Sequence, residues 1–371
     1  MDAEMVTPRR HHNVPILDEC SANLTHGVTN MKCSVISIDL AKNIFQICVL
    51  DEMRQVLFNK KVKRSELIHE LRQFTPSLVV MEACYSSNPW GRRIEKLGHE
   101  VRLIPPFIVK PFVIGNKNDA NDALAIAEAS LRPKIRFVAV KSTEQQDIQS
   151  LQRIAERMIK VRTGDVNQLR GLLSEYGTVV GLGVPTLMNA IPDIVEDATN
   201  ELTSTARMFV RRIYHNIQRI SRQLDEVKTQ LTELIKNKQA YKLLLTVPGV
   251  GPVTAAALMA AVGDANVFKN GRQLAAWIGL TPSQYASGET NRMGKITKRG
   301  NSTLRKYLIH GARTVLNWCD KKDDALSCWL KKLKERMHGC KAVVALANKL
   351  ARIVWSVLTS KQPFDVAKAC S

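Results

Sequence analysis

Four carboxylates are spaced so that they could meet at one metal site. Asp39 ends an alternating apolar segment and Glu82 ends a continuous apolar one, so both lie at the ends of predicted strands. Asp119 and Asp122 are three residues apart at the start of an alanine-rich segment, which places them on one helix face. Mg²⁺ prefers carboxylate oxygens, and two ions held this way can promote phosphodiester chemistry. Singly, each residue is better explained as a turn residue, a surface acid or a helix cap. Together they favour a metal site.

A second cluster lies between residues 285 and 308, where the only acid is Glu289. Its six basic side chains are Arg292, Lys295, Lys298, Arg299, Arg305 and Lys306. Glycines at 288, 294 and 300 predict a pliable loop that approaches nucleic-acid phosphates, ahead of a helix beginning near Ser302. Ser287 stands at the head of this segment. From chemistry alone it is a weak candidate nucleophile, because a loop serine needs an activating base or electrophilic help.

The segments that must position the carboxylates predict a mixed α/β domain. Three strands are predicted at 33–41, 43–51 and 55–62, followed by helix, strand, helix and strand up to residue 106. This is the order of a ribonuclease-H-like domain. If the first and fourth strands are neighbours, as in that fold, Asp39 and Glu82 converge, and the helix beginning near Asp119 supplies the other two carboxylates.

The rest of the chain is predicted to be mostly helical. Two long helices with apolar residues three and four apart, joined by the Gly/Pro-bearing stretch 177–195, predict a helical hairpin or coiled coil. "TVPGVGP" at 246–252 predicts a helix-hairpin-helix turn, in which Gly249 and Gly251 would expose backbone amides to a phosphate. A simple tight turn between helices is the alternative. The region's charge favours phosphate binding modestly.

Composition points to a polyanionic partner. The 371-residue chain has 54 Lys and Arg against 34 Asp and Glu, a net charge of +20, and residues 241–360 hold 19 basic and 6 acidic residues, a net of +13. Eight cysteines without CxxC spacing indicate reduced thiols in a cytoplasmic protein. No apolar run is long enough to predict a membrane span, and 342–358 is expected to be a buried amphipathic helix. The polar residues 1–30 do not resemble a signal peptide, and Met31 is an alternative start.

A set of motifs in this order resembles the transposases of the bacterial IS110 insertion-sequence family, from about Met31 to Ser360. The motifs are "SIDLAKN", "VVMEA", "KNDANDALAIAEA", "LTVPGVGPVTAAAL", "FKNGRQLAAWIGLTP" and "YASGETNRMGKITKRGNSTLRKYL". The resemblance implies a RuvC-like DEDD domain at 31–140, a helical coiled-coil region at 141–240 and a C-terminal transposase domain at 241–360. The tail 361–371 and the extension 1–30, which is expected to be disordered, complete the chain. The extension departs from the family pattern and puts the start in doubt.

The same resemblance implies a chemistry. The family's acidic tetrad falls on Asp39, Glu82, Asp119 and Asp122, which would hold Mg²⁺, two ions per site, and its serine falls on Ser287. These proteins are DNA recombinases, so the resemblance implies strand exchange on double-stranded DNA through a 5′-phosphoserine linkage, guided by an RNA from the element. It also implies a homo-oligomer, dimer or tetramer, with an active site composed from two subunits.

Two other functions remain open, and a third is disfavoured. A RuvC-like hydrolytic nuclease would use the same carboxylates with water and leave Ser287 structural. A non-catalytic nucleic-acid-binding protein would use the turn and basic segment without any chemistry. A sugar-kinase-like or actin-like ATPase is disfavoured because Lys42 and Asn43 stand where such folds place a glycine-rich phosphate turn.

Overall fold

The computed structural model describes residues 33–116, 118–133 and 135–367. The chain forms two compact units, divided between Val140 and Lys141. The expected extension at residues 1–30, the alternative start Met31 and the final tail residues 368–371 lie outside the described residues.

A five-stranded sheet organises the first unit. Its strands are β1 (Cys33–Asp39), β2 (Ile44–Asp51), β3 (Val56–Lys63), β4 (Leu78–Glu82) and β5 (Glu100–Ile104). Its α-helices in the described residues are α1 (Leu67–Leu71), α2 (Ser87–Glu95), α3 (Pro106–Val109) and α4 (Asp119–Ser130). The strand order is β3-β2-β1-β4-β5; β2 runs antiparallel to its neighbours β1 and β3, whereas β4 and β5 run parallel to β1. The predicted element order and the pairing of the first with the fourth strand are confirmed, consistent with a ribonuclease-H-like fold.

Side-chain alternation divides this sheet between two apolar cores. Ile36 and Ile38 of β1 point to the face covered by α1 and α2. Val35 points to the opposite face, which α3 and α4 cover. Because successive strand residues alternate in direction, Ser37 and Asp39 share the face of Val35. The sheet therefore presents Asp39 to the α4 side.

The second unit is almost entirely helical. Its α-helices in the described residues are α5 (Thr143–Glu175), α6 (Val184–Glu196), α7 (Ser204–Ile235), α8 (Gln239–Leu245), α9 (Pro252–Val262), α10 (Gly271–Ile278), α11 (Ser302–Trp318), α12 (Ala325–Arg336) and α13 (Gly339–Ser360). A two-stranded hairpin, β6 (Pro282–Ser287) and β7 (Thr290–Ile296), lies between α10 and α11.

Helices α5 and α7 form the predicted hairpin and run antiparallel. Glu144, near the start of α5, forms a 2.6 Å ion pair with Lys238 just beyond α7, whereas Asp165 accepts a 2.6 Å hydrogen bond from Asn216 in the first half of α7. The stretch 177–195, predicted only as a connection, contains most of α6. That helix forms because it buries an apolar face, which includes Leu187, against the hairpin.

The apolar helix α13 belongs to the core of the second unit. Of the helices in the described ranges, it is the one long and apolar enough to cross a membrane by length and composition. Its residues Leu346, Leu350 and Val354 are fully buried in the same core as α9 and α11. The prediction of a buried amphipathic helix at 342–358 is confirmed.

Candidate active site and nucleic-acid interface

Asp39 and Glu82 are brought together by strand register. Ile38 of β1 pairs with Met81 of the parallel strand β4, so the next residues, Asp39 and Glu82, occupy equivalent positions where the two strands end. Neighbouring strands lie about 4.8 Å apart. Alternation turns both carboxylates to the α4 side of the sheet, because the residues before them, Ile38 and Met81, belong to the opposite core. The predicted juxtaposition of these two residues is present.

Helix α4 begins over the same region of the sheet. The side chain of Asn118 caps it by accepting a 2.7 Å hydrogen bond from the backbone N–H of Asn121. Two side chains of the sheet then dock the first turn: Asn59 Nδ2 donates to the carbonyl of Ala120 at 2.9 Å, and Ser37 Oγ donates to that of Ala123 at 2.7 Å. These bonds hold the turn that carries Asp119 and Asp122. Motif spacing had identified neither Asn59 nor Ser37.

The carboxylates interact electrostatically. Partial burial raises the pKa of Glu82, and the negative charges of Asp39 and Asp122 raise it further. Asp119 lies on the same helix face in an exposed position. Across the described ranges, no three His, Cys, Asp or Glu side chains are gathered as closely as a metal site requires. Like-charge repulsion keeps carboxylates apart, and a cation between them would remove it.

Gln46, the cross-strand neighbour of Asp39, carries a neutral oxygen of the kind that a cation binds. Gln46 is directly cross-strand from Asp39 and only 4% exposed. Asn59 uses its Nδ2 on Ala120, so its Oδ1 accepts the 2.6 Å bond from Gln46 Nε2. That orientation leaves Gln46 Oε1 buried without a hydrogen-bond partner among the described residues. The carboxylates of Asp39 and Glu82 and this carbonyl-type oxygen are ligands of the type that a hard divalent cation prefers, and a bound cation would draw the remaining carboxylates closer.

Ser287 lies in a β-hairpin, and the prediction of a pliable loop at this point was wrong. Ser287 pairs with Thr290 at the tip of β6 and β7, and the turn consists of Gly288 and Glu289. Gly288 has a φ of 55°, as the first residue of a two-residue hairpin turn of type II′ requires. The two strands form a ribbon instead of a loop because a glycine-headed two-residue turn sets their register. Ser287 is exposed at its end.

The predicted phosphate-binding residues fall into two groups. Arg292 and Lys295 are exposed on β7, and Lys298 and Arg299 are exposed in the segment that follows. Arg305 is half-buried and donates a 2.9 Å hydrogen bond to the carbonyl of Ile278, which gives it a structural contact. Lys306 is exposed, with its Nζ 4.9 Å from the centre of the Tyr307 ring.

Gly249 and Gly251 have different surroundings in the turn between α8 and α9. Gly249 has a φ of 77°, and a Cβ placed there would lie 2.7 Å from the carbonyl oxygen of Gly311 in α11. Gly251 is exposed, and a Cβ there would meet no atom within 4 Å. Close helix packing therefore requires Gly249, whereas Gly251 is the one whose surroundings leave room for a ligand.

Comparison with known proteins identifies two family models and several relatives. Residues 36–178 match the IS110 DEDD transposase model, and residues 241–327 match the model described as "Transposase IS116/IS110/IS902 family". A probable family 20 transposase of Pseudomonas aeruginosa is 41% identical over 89% of this chain and 98% of its own length. The transposase for insertion sequence element IS1111A of Coxiella burnetii is 39% identical over 89% of this chain and 91% of its own. The transposase for element IS1328 of Yersinia enterocolitica is 33% identical over 90% and 98%.

These matches carry three consequences. The protein is an enzyme, a transposase; its partner is DNA; and the DEDD domain implies a divalent metal ion. The matched regions include the sheet with its carboxylates and the ribbon with Ser287. The chain belongs to the IS110/IS116/IS902 family of insertion-sequence transposases.

Proposed function

We propose that this transposase cuts and rejoins DNA strands through a covalent bond between Ser287 and a 5′-phosphate. The observation that supports a metal site for this reaction is the strand register that places Asp39 and Glu82 side by side where β1 and β4 end, where the charges of Asp39 and Asp122 help to raise the pKa of Glu82. Mutual repulsion of this kind costs stability in the free protein, and a cation that binds between the carboxylates would relieve it.

In the proposed reaction Ser287 Oγ attacks the phosphorus of a DNA phosphodiester. The Oγ–P bond forms, the P–O3′ bond breaks, and the serine proton is transferred overall to the departing 3′-oxygen. A 3′-hydroxyl of another strand then attacks the phosphoserine and releases Ser287, which takes back a proton. The serine ester retains the energy of the phosphodiester, so strands are rejoined without an external energy source.

Asp39, Glu82, Asp119 and Asp122 would hold the metal, which we take to be two Mg²⁺ ions. When bound, Mg²⁺ supplies positive charge to the non-bridging phosphate oxygens and the departing oxygen. Asn118, Ser37 and Asn59 hold the first turn of α4, so that Asp119 and Asp122 stay on the face that serves this site.

The remaining parts of the proposal concern recognition and assembly. Arg292, Lys295, Lys298, Arg299, Arg305 and Lys306 would contact phosphates, and the turn with Gly249 and Gly251 would act as a helix-hairpin-helix element. A coiled-coil region at 141–240 would separate the RuvC-like domain, 31–140, from the transposase domain, 241–360. An element-encoded guide RNA would select the DNA, and a cytoplasmic homo-oligomer, dimer or tetramer, would compose the active site. The net charge of +20 supports binding to nucleic acid.

Detection of a protein–DNA adduct tests the proposal. Purified protein is incubated with Mg²⁺, the element's end DNA and its flanking RNA, then denatured and examined for covalently attached DNA. We expect an adduct in the parent, none in Ser287→Ala, and none in Asp119→Asn, which removes a ligand with little change in volume. Cleaved DNA without an adduct would overturn the serine step in favour of a hydrolytic nuclease. Cleavage by Asp119→Asn would remove Asp119 from the site.

A further inference from the structure

A basic groove lies at the end of the sheet where β1 terminates. It has a volume of about 660 Å³ and no acidic side chain among its lining residues, which are Asn43, Ile44, Lys63, Arg64, Ser65, Trp90 and Arg93. Ile44 starts β2 and pairs with Lys63 at the end of β3. Since β2 runs antiparallel to β1, this end of the sheet is also the end at which Asp39 and Glu82 lie. Trp90 belongs to the core on the α2 side of the sheet, whereas the carboxylates lie on the α4 side. The turn that follows Asp39 separates the groove from the carboxylates.

Two guanidinium groups share one aromatic ring in this groove. The Cζ atoms of Arg64 and Arg93 lie 5.3 and 5.0 Å from the centre of the Trp90 ring. The ring attracts both cations, but they repel each other. The ion pair made by the groove residue Lys63 is weak, because its Nζ is 3.6 Å from Glu66 and both side chains are largely exposed. The cluster therefore keeps an excess of positive charge that an anion would neutralise.

Contacts beneath the groove hold Arg64 in place. Its backbone N–H donates a 2.9 Å hydrogen bond to Asn43 O, and its Nη1 donates at 3.3 Å to Lys42 O. Its guanidinium also lies 5.6 Å from the Phe45 ring centre, and Phe45 in turn packs edge-on against Trp90, which is 4% exposed. These contacts restrict the rotamers of Arg64, so less side-chain entropy is lost when it binds a ligand. Exposed surface lysines lack such support.

We propose that this groove binds the phosphodiester backbone of the DNA strand next to the phosphate that is cut. The inference rests on the proposed function for its location, because the groove borders the turn that connects Asp39 to β2. An arginine guanidinium can donate two parallel hydrogen bonds to two oxygens of one phosphate. Ile44, which is 49% exposed, offers an apolar surface to a deoxyribose. The groove would thus position the strand that passes the carboxylates without reading its sequence.

DNA binding by the full chain in EDTA tests the groove separately from catalysis. The probes are a fluorescently labelled DNA duplex and an RNA duplex of the same length, and the dissociation constant is measured by anisotropy at several salt concentrations. The variants are Arg93→Gln, whose exposed side chain makes only the ring contact among the described residues, and Arg64→Gln/Arg93→Gln. Arg54→Gln is the matched control, since Arg54 is exposed in the turn between β2 and β3 at the opposite end of the sheet. Melting temperatures confirm that each variant is folded.

For DNA, we plot the logarithm of the association constant against the logarithm of the salt concentration. We expect this negative slope to become shallower by about 0.9 in Arg93→Gln and by about twice that in the double variant. The control should keep the parent slope. The groove assignment is overturned if Arg93→Gln behaves like Arg54→Gln, or if only RNA binding changes. If the parent forms no adduct but Arg93→Gln has a shallower salt dependence for DNA, the serine chemistry is rejected and the groove is kept. If the parent forms an adduct but Arg93→Gln keeps the parent's salt dependence, the serine chemistry is kept and the groove is rejected.

Discussion

Replacing Glu82 with glutamine should stabilise the metal-free protein and destabilise the metal-bound one. Burial and the charges of Asp39 and Asp122 raise the pKa of Glu82 in the folded state above its unfolded value near 4.3. The folded state therefore binds this proton more tightly. The resulting stability is fully present below about pH 4 and is lost as the pH rises through the folded-state pKa. Glutamine stays neutral, so Glu82→Gln should not lose stability in this window.

The size of the effect is modest without metal and larger with it. A shift of one pKa unit corresponds to about 1.4 kcal/mol, and because Glu82 is only partly buried and solvent screens its charge, we expect the gain to be smaller than that. The melting temperature in EDTA at neutral pH should therefore rise by no more than a few degrees, on the order of 1 kcal/mol or less. In the parent, Mg²⁺ at ten times its dissociation constant should add about 1.4 kcal/mol, most of which the variant would lose. The order of stability of the two proteins should therefore reverse on addition of Mg²⁺.

Thermal unfolding of the parent and Glu82→Gln is followed in EDTA and across a Mg²⁺ titration. It measures both the stability difference without metal and the stabilisation of each protein by Mg²⁺. Glu52→Gln is the matched control: it removes one negative charge from the exposed turn between β2 and β3, at the opposite end of the sheet. It should leave the Mg²⁺ response unchanged. The reasoning is refuted if Glu82→Gln melts below the parent in EDTA, or if Mg²⁺ stabilises it as much as the parent.

Three further predictions concern local contacts. Gly249→Ala should cost about 2 kcal/mol or more in urea unfolding, because its Cβ would lie 2.7 Å from Gly311 O, whereas Gly251→Ala should be nearly neutral; equal effects would contradict the close packing. Gln46→Met removes the orphaned oxygen beside Asp39 and should weaken Mg²⁺ binding about tenfold, so an unchanged midpoint in the Mg²⁺ titration would exclude Gln46 from the site. Burial raises the pKa of Cys48 to about 11, so below that pH the thiol stays protonated. In native protein at about pH 8.5, iodoacetamide should therefore modify the exposed Cys328 and Cys340 and leave Cys48 unmodified, as measured by peptide mass spectrometry.

Local sequence pattern was sufficient for most of the elements. The alternation that ends at Asp39 and the apolar run that ends at Glu82 follow from the two-residue period of a strand, which needs no knowledge of distant residues. The spacing of apolar residues in α5, α7 and α13 likewise follows from the helical period. The local pattern was insufficient around Ser287, where glycines are compatible with either a loop or a hairpin turn. The glycines around Ser287 suggested a loop, but one of them heads a two-residue turn, and strand pairing across it forms a ribbon.

What the sequence by itself determined was which residue types stand at which strand and helix ends, including Asp39, Glu82, Asp119 and Asp122. Only the tertiary structure decided which of them interact. Burial and facing charges raise the pKa of Glu82, and the chain of hydrogen bonds from Ala120 through Asn59 leaves Gln46 Oε1 without a partner in the part of the chain that the structure describes. The groove around Trp90 could not be predicted from the sequence either, because Arg64 and Arg93 lie in different parts of the chain and meet only at the Trp90 ring. Desolvation, electrostatic coupling and ring contacts depend on distances through space, which the order of residues along the chain does not contain.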